Sequence, residues 1–134
     1  MIRVPIRLQR LLPSIVRAAQ RVYDEWSQDE SGFDEEVGYG GICHLIADKI
    51  VGVVADAGMM CTTVSSSHEV HVYTVLRLDR SGVWLVDIHP YNYERGGGYN
   101  WKKIPDVKFD KSDITVELLD PDPNSFREYT GEYE

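Results

Sequence analysis

One cysteine, one histidine and one aspartate in this sequence have the order and surroundings that nucleophilic catalysis needs. Cys43 follows the glycine-rich stretch Gly38-Tyr39-Gly40-Gly41 and stands in the first turn of a predicted helix. The positive end of the helix dipole and the unpaired backbone N–H groups there both favour a thiolate over a thiol. The same N–H groups can hold a developing oxyanion. We therefore expect Cys43 to be a nucleophile.

A cysteine nucleophile needs a base, and the base needs an orienting group on its far side. A predicted hairpin supplies both, because His71 lies near the start of its first strand and Asp87 near the end of its return strand. With a turn centred near residues 80–81, residue 73 pairs with about residue 88, so the two side chains are at most diagonal neighbours. If they share a face, an imidazole–carboxylate hydrogen bond turns the other ring nitrogen toward the thiol.

Each of these residues also has an ordinary structural interpretation. A cysteine near a helix start is often a packing residue, a strand histidine is often half-exposed, and an aspartate at a strand end is commonly a turn residue. His68 is a competing base, but it lies three positions before His71 and therefore faces the other side of the strand. We prefer His71 because its spacing from Asp87 suits the hairpin.

Metal and phosphate binding are the other chemistries that these residue types allow. Scattered residues that could supply ligands are Cys43, His44, Cys61, His68, His71 and His89. They show none of the paired spacings typical of zinc sites, and the glycine-rich stretch lacks the lysine of a phosphate-binding loop. We therefore expect no metal and no other cofactor.

Two amphipathic helices are predicted before the strands. Helical spacing of apolar residues predicts one helix over about 14–28, capped by Ser14, and a second over about 42–57, ended by Gly58. The first stripe contains Ile15, Val16, Ala19, Val22, Tyr23 and Trp26, and the second contains Ile42, Leu45, Ile46, Ile50, Val53, Val54 and Ala57. The acidic segment 29–41, with its glycines, reads as an exposed loop.

Strand-like segments follow the helices. They lie at residues 59–64, 69–78, 83–88 and 114–119, with a short one around 107–109. Helices first and strands after indicate an α+β fold, with N-terminal helices packed on an antiparallel β-sheet. We expect one domain over residues 1–134 with its core at about 14–120, a long surface loop at 91–101 and a loose acidic tail over 121–134.

The composition indicates a globular chain and excludes some partners. Hydrophobic residues make up 43% and charged residues 27%, and the net charge of −8 disfavours nucleic acid and anionic membranes as partners. No apolar run has the length of a membrane span, and the N-terminus lacks the apolar segment of a signal peptide. Two cysteines are too few for a disulfide framework. We expect a cytoplasmic protein.

Two segments resemble the transglutaminase-like cysteine enzymes, a group within the papain-like fold. Gly41-Ile42-Cys43, followed by an apolar helix and a strand, resembles their nucleophile segment. His71-Val72-Tyr73-Thr74-Val75, a turn and Gly82-Val83-Trp84-Leu85-Val86-Asp87 are similar to their histidine strand and the tryptophan-containing strand that ends in aspartate. The resemblance covers about residues 38–90 and departs at His44, where the family often has an aromatic residue. It implies that Cys43 is the nucleophile, His71 the general base and Asp87 the orienting acid.

The expected function is therefore that of a cysteine hydrolase or acyl-transfer enzyme. It would act on a peptide or side-chain amide of a protein or peptide substrate through a thioester, as a protease, amidase, deamidase or transglutaminase does. The alternative is a non-catalytic binding or structural module on the same scaffold, with the acidic surface and the 91–101 loop as its interaction surface.

Several further residues could complete the site. The oxyanion hole would use the backbone N–H of Cys43 and a second donor, for which Tyr39 and Gln28 are candidates. Tyr91, Tyr93 and Trp101 could line a substrate groove or could pack over the sheet edge.

Overall fold

A computed structural model describes residues 3–28, 42–66, 71–95 and 102–130 of the chain. The helices are α1 (Ile6–Gln9), α2 (Leu12–Ser27), α3 (Cys43–Asp56) and α4 (Arg127–Thr130). The strands are β1 (Cys61–Ser66), β2 (His71–Leu78), β3 (Gly82–Ile88), β4 (Glu94–Arg95), β5 (Lys102–Lys103) and β6 (Ile114–Asp120). The main sheet is antiparallel, in the order β1-β2-β3-β6, and β4 pairs separately with β5. The predicted α+β class is thus confirmed.

Helix α2 carries the predicted apolar stripe but begins earlier than expected. Its first turn contains Pro13, and its N-cap is Leu11 rather than Ser14. Proline is well tolerated there because its missing N–H would have no partner within the helix. The buried face consists of Ile15, Ala19, Val22, Tyr23 and Trp26, while Val16 is only partly buried.

Helix α3 lies between α2 and the sheet, in contact with both. It ends at Asp56, and Gly58 follows with φ of +87°, a left-handed conformation that stops a helix as predicted. Its buried residues are Ile46, Ala47, Ile50 and Val54. Leu45, predicted within the stripe, is 44% exposed.

The hairpin of β2 and β3 has a shorter turn than the sequence suggested. Leu78 pairs with Gly82, so three residues connect the strands, and Gly82 itself opens β3. Gly82 has φ of +117°, and a Cβ there would meet the Asp120 carbonyl and lie 2.9 Å from Cα of Pro121. Only glycine fits this position, because β6 ends directly against it.

The core extends beyond the expected limits at both ends of the chain. Leu8 in α1 is fully buried against the helices. The prediction of a loose tail is wrong over residues 121–130, because a 3₁₀ helix, Pro123–Phe126, leads into α4 there. Phe126 is 4% exposed and packs with Val75 and Val83, on the side of the sheet away from the main core. A single buried aromatic ring therefore anchors a segment whose composition is that of a turn.

The segment after β3 also differs from its prediction. A 3₁₀ helix, Pro90–Asn92, precedes the pair of β4 and β5, so part of the expected surface loop at 91–101 is regular structure. Residues 107–109 do not form the short strand that was predicted. Their backbone N–H groups bind α2 side chains instead: Val107 N donates to the Tyr23 hydroxyl at 3.1 Å, and Phe109 N donates to Gln20 Oε1 at 2.7 Å.

Candidate active site

His71 and Asp87 form a hydrogen-bonded pair across the central hairpin. Nε2 of His71 lies 2.7 Å from Oδ2 of Asp87, and the two side chains are only 10% and 8% exposed. This is the imidazole–carboxylate contact that the hairpin spacing predicts. The bond occupies one ring nitrogen and leaves Nδ1 for another partner.

Strand register decides that this contact forms. Thr74 pairs with Val86, so continuation of the ladder places residue 73 opposite Asp87, not opposite residue 88 as predicted. His71 is then opposite His89, whose ring centroid is 6.0 Å away, and Asp87 is its diagonal neighbour on the same face. A slip of one residue would turn Asp87 to the other face. The three-residue turn is therefore what brings the pair together.

Cys43 is the first residue of α3, and its side chain is partly exposed. The N-cap residue, Ile42, makes no side-chain cap, so the first-turn N–H groups of the helix receive nothing from it. The helix is bound to β2 by a buried hydrogen bond, in which Thr74 Oγ1 donates to the Ala47 carbonyl at 3.0 Å. This bond joins the segment that carries the thiol to the strand that carries His71.

The electrostatic setting of His71 connects the three residues. Burial alone lowers the pKa of His71, but hydrogen bonding to Asp87 and Cys43, together with their charges, raises it to about 10. Nδ1 is buried and, in the described part of the chain, has no partner in strict hydrogen-bond geometry. The contact between Cys43 and the His71 ring is therefore looser than an aligned hydrogen bond.

Among the described residues, Tyr93 and Glu94 carry buried side-chain oxygens without a hydrogen-bond partner, and charges of the candidate site residues influence both. Burial raises the pKa of Glu94 to about 7, although the charge of His71 lowers it. Burial also raises the pKa of Tyr93, and the charges of Cys43, Glu94 and Asp87 raise it further. Glu94 was not among the residues predicted from the sequence, since its only sequence signal is its place shortly after the Asp87 strand.

Cys61 provides a contrast to Cys43. It lies at the start of β1, and its Sγ donates to the Val51 carbonyl at 3.4 Å. Burial raises the pKa of the Cys61 thiol. Both cysteines are free, so Cys61 can serve as an internal reference thiol when the reactivity of Cys43 is measured.

The remaining candidate residues are not brought into one site. Gln28, a proposed oxyanion donor, is exposed at the end of α2. Tyr91 is 68% exposed, with its ring 4.5 Å from that of His89, whereas Tyr93 is fully buried and therefore does not form the wall of an open groove. Tyr39, His68 and Trp101 lie outside the described residues.

Metal binding and membrane insertion find no support in the described ranges. Among those residues, no three His, Cys, Asp or Glu side chains cluster closely enough to hold a metal ion. None of the helices described is both long and apolar enough to cross a bilayer.

A scan against protein-family models, and searches against curated proteins and solved structures, found no match for this chain.

Proposed function

We propose that this protein is a cysteine hydrolase or acyl-transfer enzyme in which Cys43, His71 and Asp87 act as a triad. The observation that carries the proposal is the 2.7 Å bond between His71 Nε2 and Asp87 Oδ2, with the other ring nitrogen free for a thiol at a helix N-terminus. A base held by a buried carboxylate and facing a nucleophile is the arrangement that acyl transfer requires.

In the proposed mechanism, His71 takes the thiol proton and Cys43 attacks the carbonyl carbon of an amide. Asp87 stabilises the resulting imidazolium, and burial of the pair strengthens that interaction. The tetrahedral intermediate collapses when His71 gives its proton to the leaving amine, which yields a thioester. Water then hydrolyses the thioester, or a second amine accepts the acyl group.

The arrangement of elements also supports a papain-like, transglutaminase-like core. A helix that begins with the cysteine packs on an antiparallel sheet whose adjacent strands supply the histidine and the aspartate. We infer that the substrate bond is a peptide or side-chain amide. Protease, amidase, deamidase and transglutaminase activities all use this chemistry.

Thiol labelling is the first test of the proposal. At pH 7, iodoacetamide should label Cys43 at least about 10-fold faster than Cys61, because the thiolate is the reactive form. Peptide mapping by mass spectrometry gives both rates in one sample, and Cys61→Ala controls for any effect of the second thiol. Equal, slow labelling of the two cysteines would contradict the proposal and favour a non-catalytic module.

Substrate class needs a second measurement. The wild-type protein is incubated with a peptide library and, separately, with glutamine- and asparagine-containing peptides plus a primary amine. Chain cleavage identifies a protease, ammonia release a deamidase, and amine incorporation a transglutaminase. Cys43→Ala should abolish whichever product forms, whereas product that persists in this variant would exclude the thioester route.

A further inference from the structure

A row of arginines follows the exposed face of the first two helices. We call these residues, Arg7, Arg10, Arg17 and Arg21, the arginine stripe. Arg10 and Leu11, which join α1 to α2, both have right-handed helical backbone conformations, so helical spacing applies along the row. Intervals of three, seven and four residues bring side chains to one face of a helix. All four side chains are exposed, on the side of α2 away from its buried apolar face.

The arginine stripe is a local positive surface on an acidic protein. The first 23 residues hold five of the 14 lysine and arginine residues and none of the 22 aspartate and glutamate residues. The rest of the chain, with nine basic and 22 acidic residues, therefore has a net charge of −13. Within the described ranges no arginine of the stripe forms an ion pair, and Arg17 donates instead to Ser14 Oγ at 2.9 Å.

These charges are unfavourable for the helix that carries them. Arg17 and Arg21 are four residues apart on α2, where like charges repel each other. The first turn of α2 has no acidic residue, whereas Asp24 and Glu25 lie near its C-terminal end. A helix is stabilised by the opposite arrangement, with acidic residues at its start and basic residues at its end. The stripe therefore has no stabilising role within the helix, and local conflicts of this kind are typical of functional surfaces.

The size and charge of the stripe favour a short acidic peptide segment as its partner. A guanidinium group binds a carboxylate through two parallel hydrogen bonds. Arg10 and Arg21 are eleven residues apart, which is roughly 17 Å along a helix and about the length of five residues of extended peptide. Nucleic acids and anionic membranes extend beyond the stripe, where the acidic remainder of the protein repels them. A short segment avoids this repulsion, because salt screens charges beyond about 8 Å.

We propose that the arginine stripe binds an acidic segment of a partner protein, in which several aspartate or glutamate residues follow one another in an extended conformation. The carboxylates of this segment pair with Arg10, Arg17 and Arg21. Helix α3 lies between α2 and the sheet that carries His71 and Asp87. The inference is therefore independent of the proposed catalytic function.

Binding of fluorescein-labelled decaglutamate to the full chain, measured by fluorescence anisotropy, tests this inference, with decaglutamine as the uncharged reference. The double variant Arg17→Gln/Arg21→Gln should bind decaglutamate about 10-fold more weakly, because two exposed charge contacts are lost. A rise in salt from about 50 to about 200 mM should also weaken binding. The matched control is Arg80→Gln/Arg127→Gln, which removes two exposed arginines outside the stripe and should stay within about twofold of wild type.

Several outcomes would overturn the inference. They include no binding of decaglutamate, binding of decaglutamine with equal affinity, and an equal loss in both double variants. Tighter binding of decathymidylate or of phosphatidylserine vesicles would assign the stripe to nucleic acid or to a membrane instead. Salt-sensitive dimers in analytical ultracentrifugation that Arg17→Gln/Arg21→Gln does not form would make a second copy of the chain the partner. None of these measurements depends on the reactivity of Cys43.

Thermal unfolding gives an independent readout of the same variant. Glutamine has a helix propensity close to that of arginine and removes the repulsion, so Arg17→Gln/Arg21→Gln should melt at or above the wild-type temperature without peptide. Decaglutamate should raise the melting temperature of the wild type more than that of the variant. A variant that melts well below the wild type would overturn the inference, because the arginines would then serve the fold itself.

Discussion

Replacement of Asp87 by asparagine tests the electrostatic basis of the site most directly. The change keeps the size of the side chain and one acceptor oxygen but removes the charge. The pKa of His71 is raised from 6.5 to about 10, which favours the imidazolium by on the order of a few kcal/mol. The side chain is only 10% exposed, so solvent screens this interaction little.

Asp87 and Cys43 both contribute a hydrogen bond and a charge to this rise, and the Asp87 bond is the largest of these contributions. Because asparagine can still accept a hydrogen bond, we expect the pKa of His71 to fall by about one to two units in Asp87→Asn. The equilibrium constant for proton transfer from the Cys43 thiol to His71 then falls by about 10- to 100-fold. Alkylation of Cys43 at pH 7 should slow accordingly.

The assay combines an NMR titration of the His71 ring with the rate of Cys43 alkylation by iodoacetamide. Asp79→Asn is the matched control, because it makes the same chemical change at a carboxylate that is 82% exposed in the hairpin turn. The reasoning would be refuted if Asp87→Asn left both readouts at their wild-type values, or if Asp79→Asn changed them as much.

Three further predictions concern stability. The folded-state pKa of His71 lies above its ordinary value of 6.5, so the contribution of the His71 charge to stability is complete below pH 6.5 and is lost as pH rises through about 10. The free energy of urea unfolding should therefore fall by on the order of a few kcal/mol over this range. A free energy of unfolding that does not change with pH would contradict this prediction. Gly82→Ala should destabilise by more than about 2 kcal/mol, because its φ of +117° and the nearby Asp120 carbonyl leave no room for a Cβ; a variant with the wild-type urea midpoint would contradict this. Phe126→Ala should cost about 3–5 kcal/mol by the same assay, because the ring is 4% exposed; a loss under about 1 kcal/mol would mean that the C-terminal segment is not anchored.

The helices and strands that carry the candidate site were predictable because their residue types follow clear helical or strand patterns. The apolar stripes of α2 and α3 and the β-branched composition of β2 and β3 mark the faces that these elements bury, and this signal is readable without knowledge of their partners. The sequence also placed His71 and Asp87 at neighbouring strand ends, but their contact required that both side chains share a face, which the register decides. The register of β2 and β3 could not be predicted, because it depends on the positive φ of Gly82 and on the approach of β6, and both are features of the tertiary structure.

The sequence pattern did not show that two aromatic side chains, Phe126 and Tyr93, are buried. Phe126 lies among turn-forming residues, and it is buried only because it packs on the side of the sheet away from the main core. Tyr93 lies in an aromatic, glycine-rich stretch that reads as a surface loop, yet Trp26 and Phe109 enclose its ring. Composition alone does not distinguish such anchors from exposed aromatic residues, since both occur between turns.

The division of the proposed triad between two layers has a mechanical consequence. Cys43 belongs to the helical layer, whereas His71 and Asp87 belong to the sheet, so the distance between sulfur and ring depends on how closely α3 packs on β2. That spacing depends on buried side chains such as Ile46 and Ile50, and on the bond from Thr74 to Ala47. A change in core volume is therefore expected to alter the reactivity of Cys43 before it unfolds the protein.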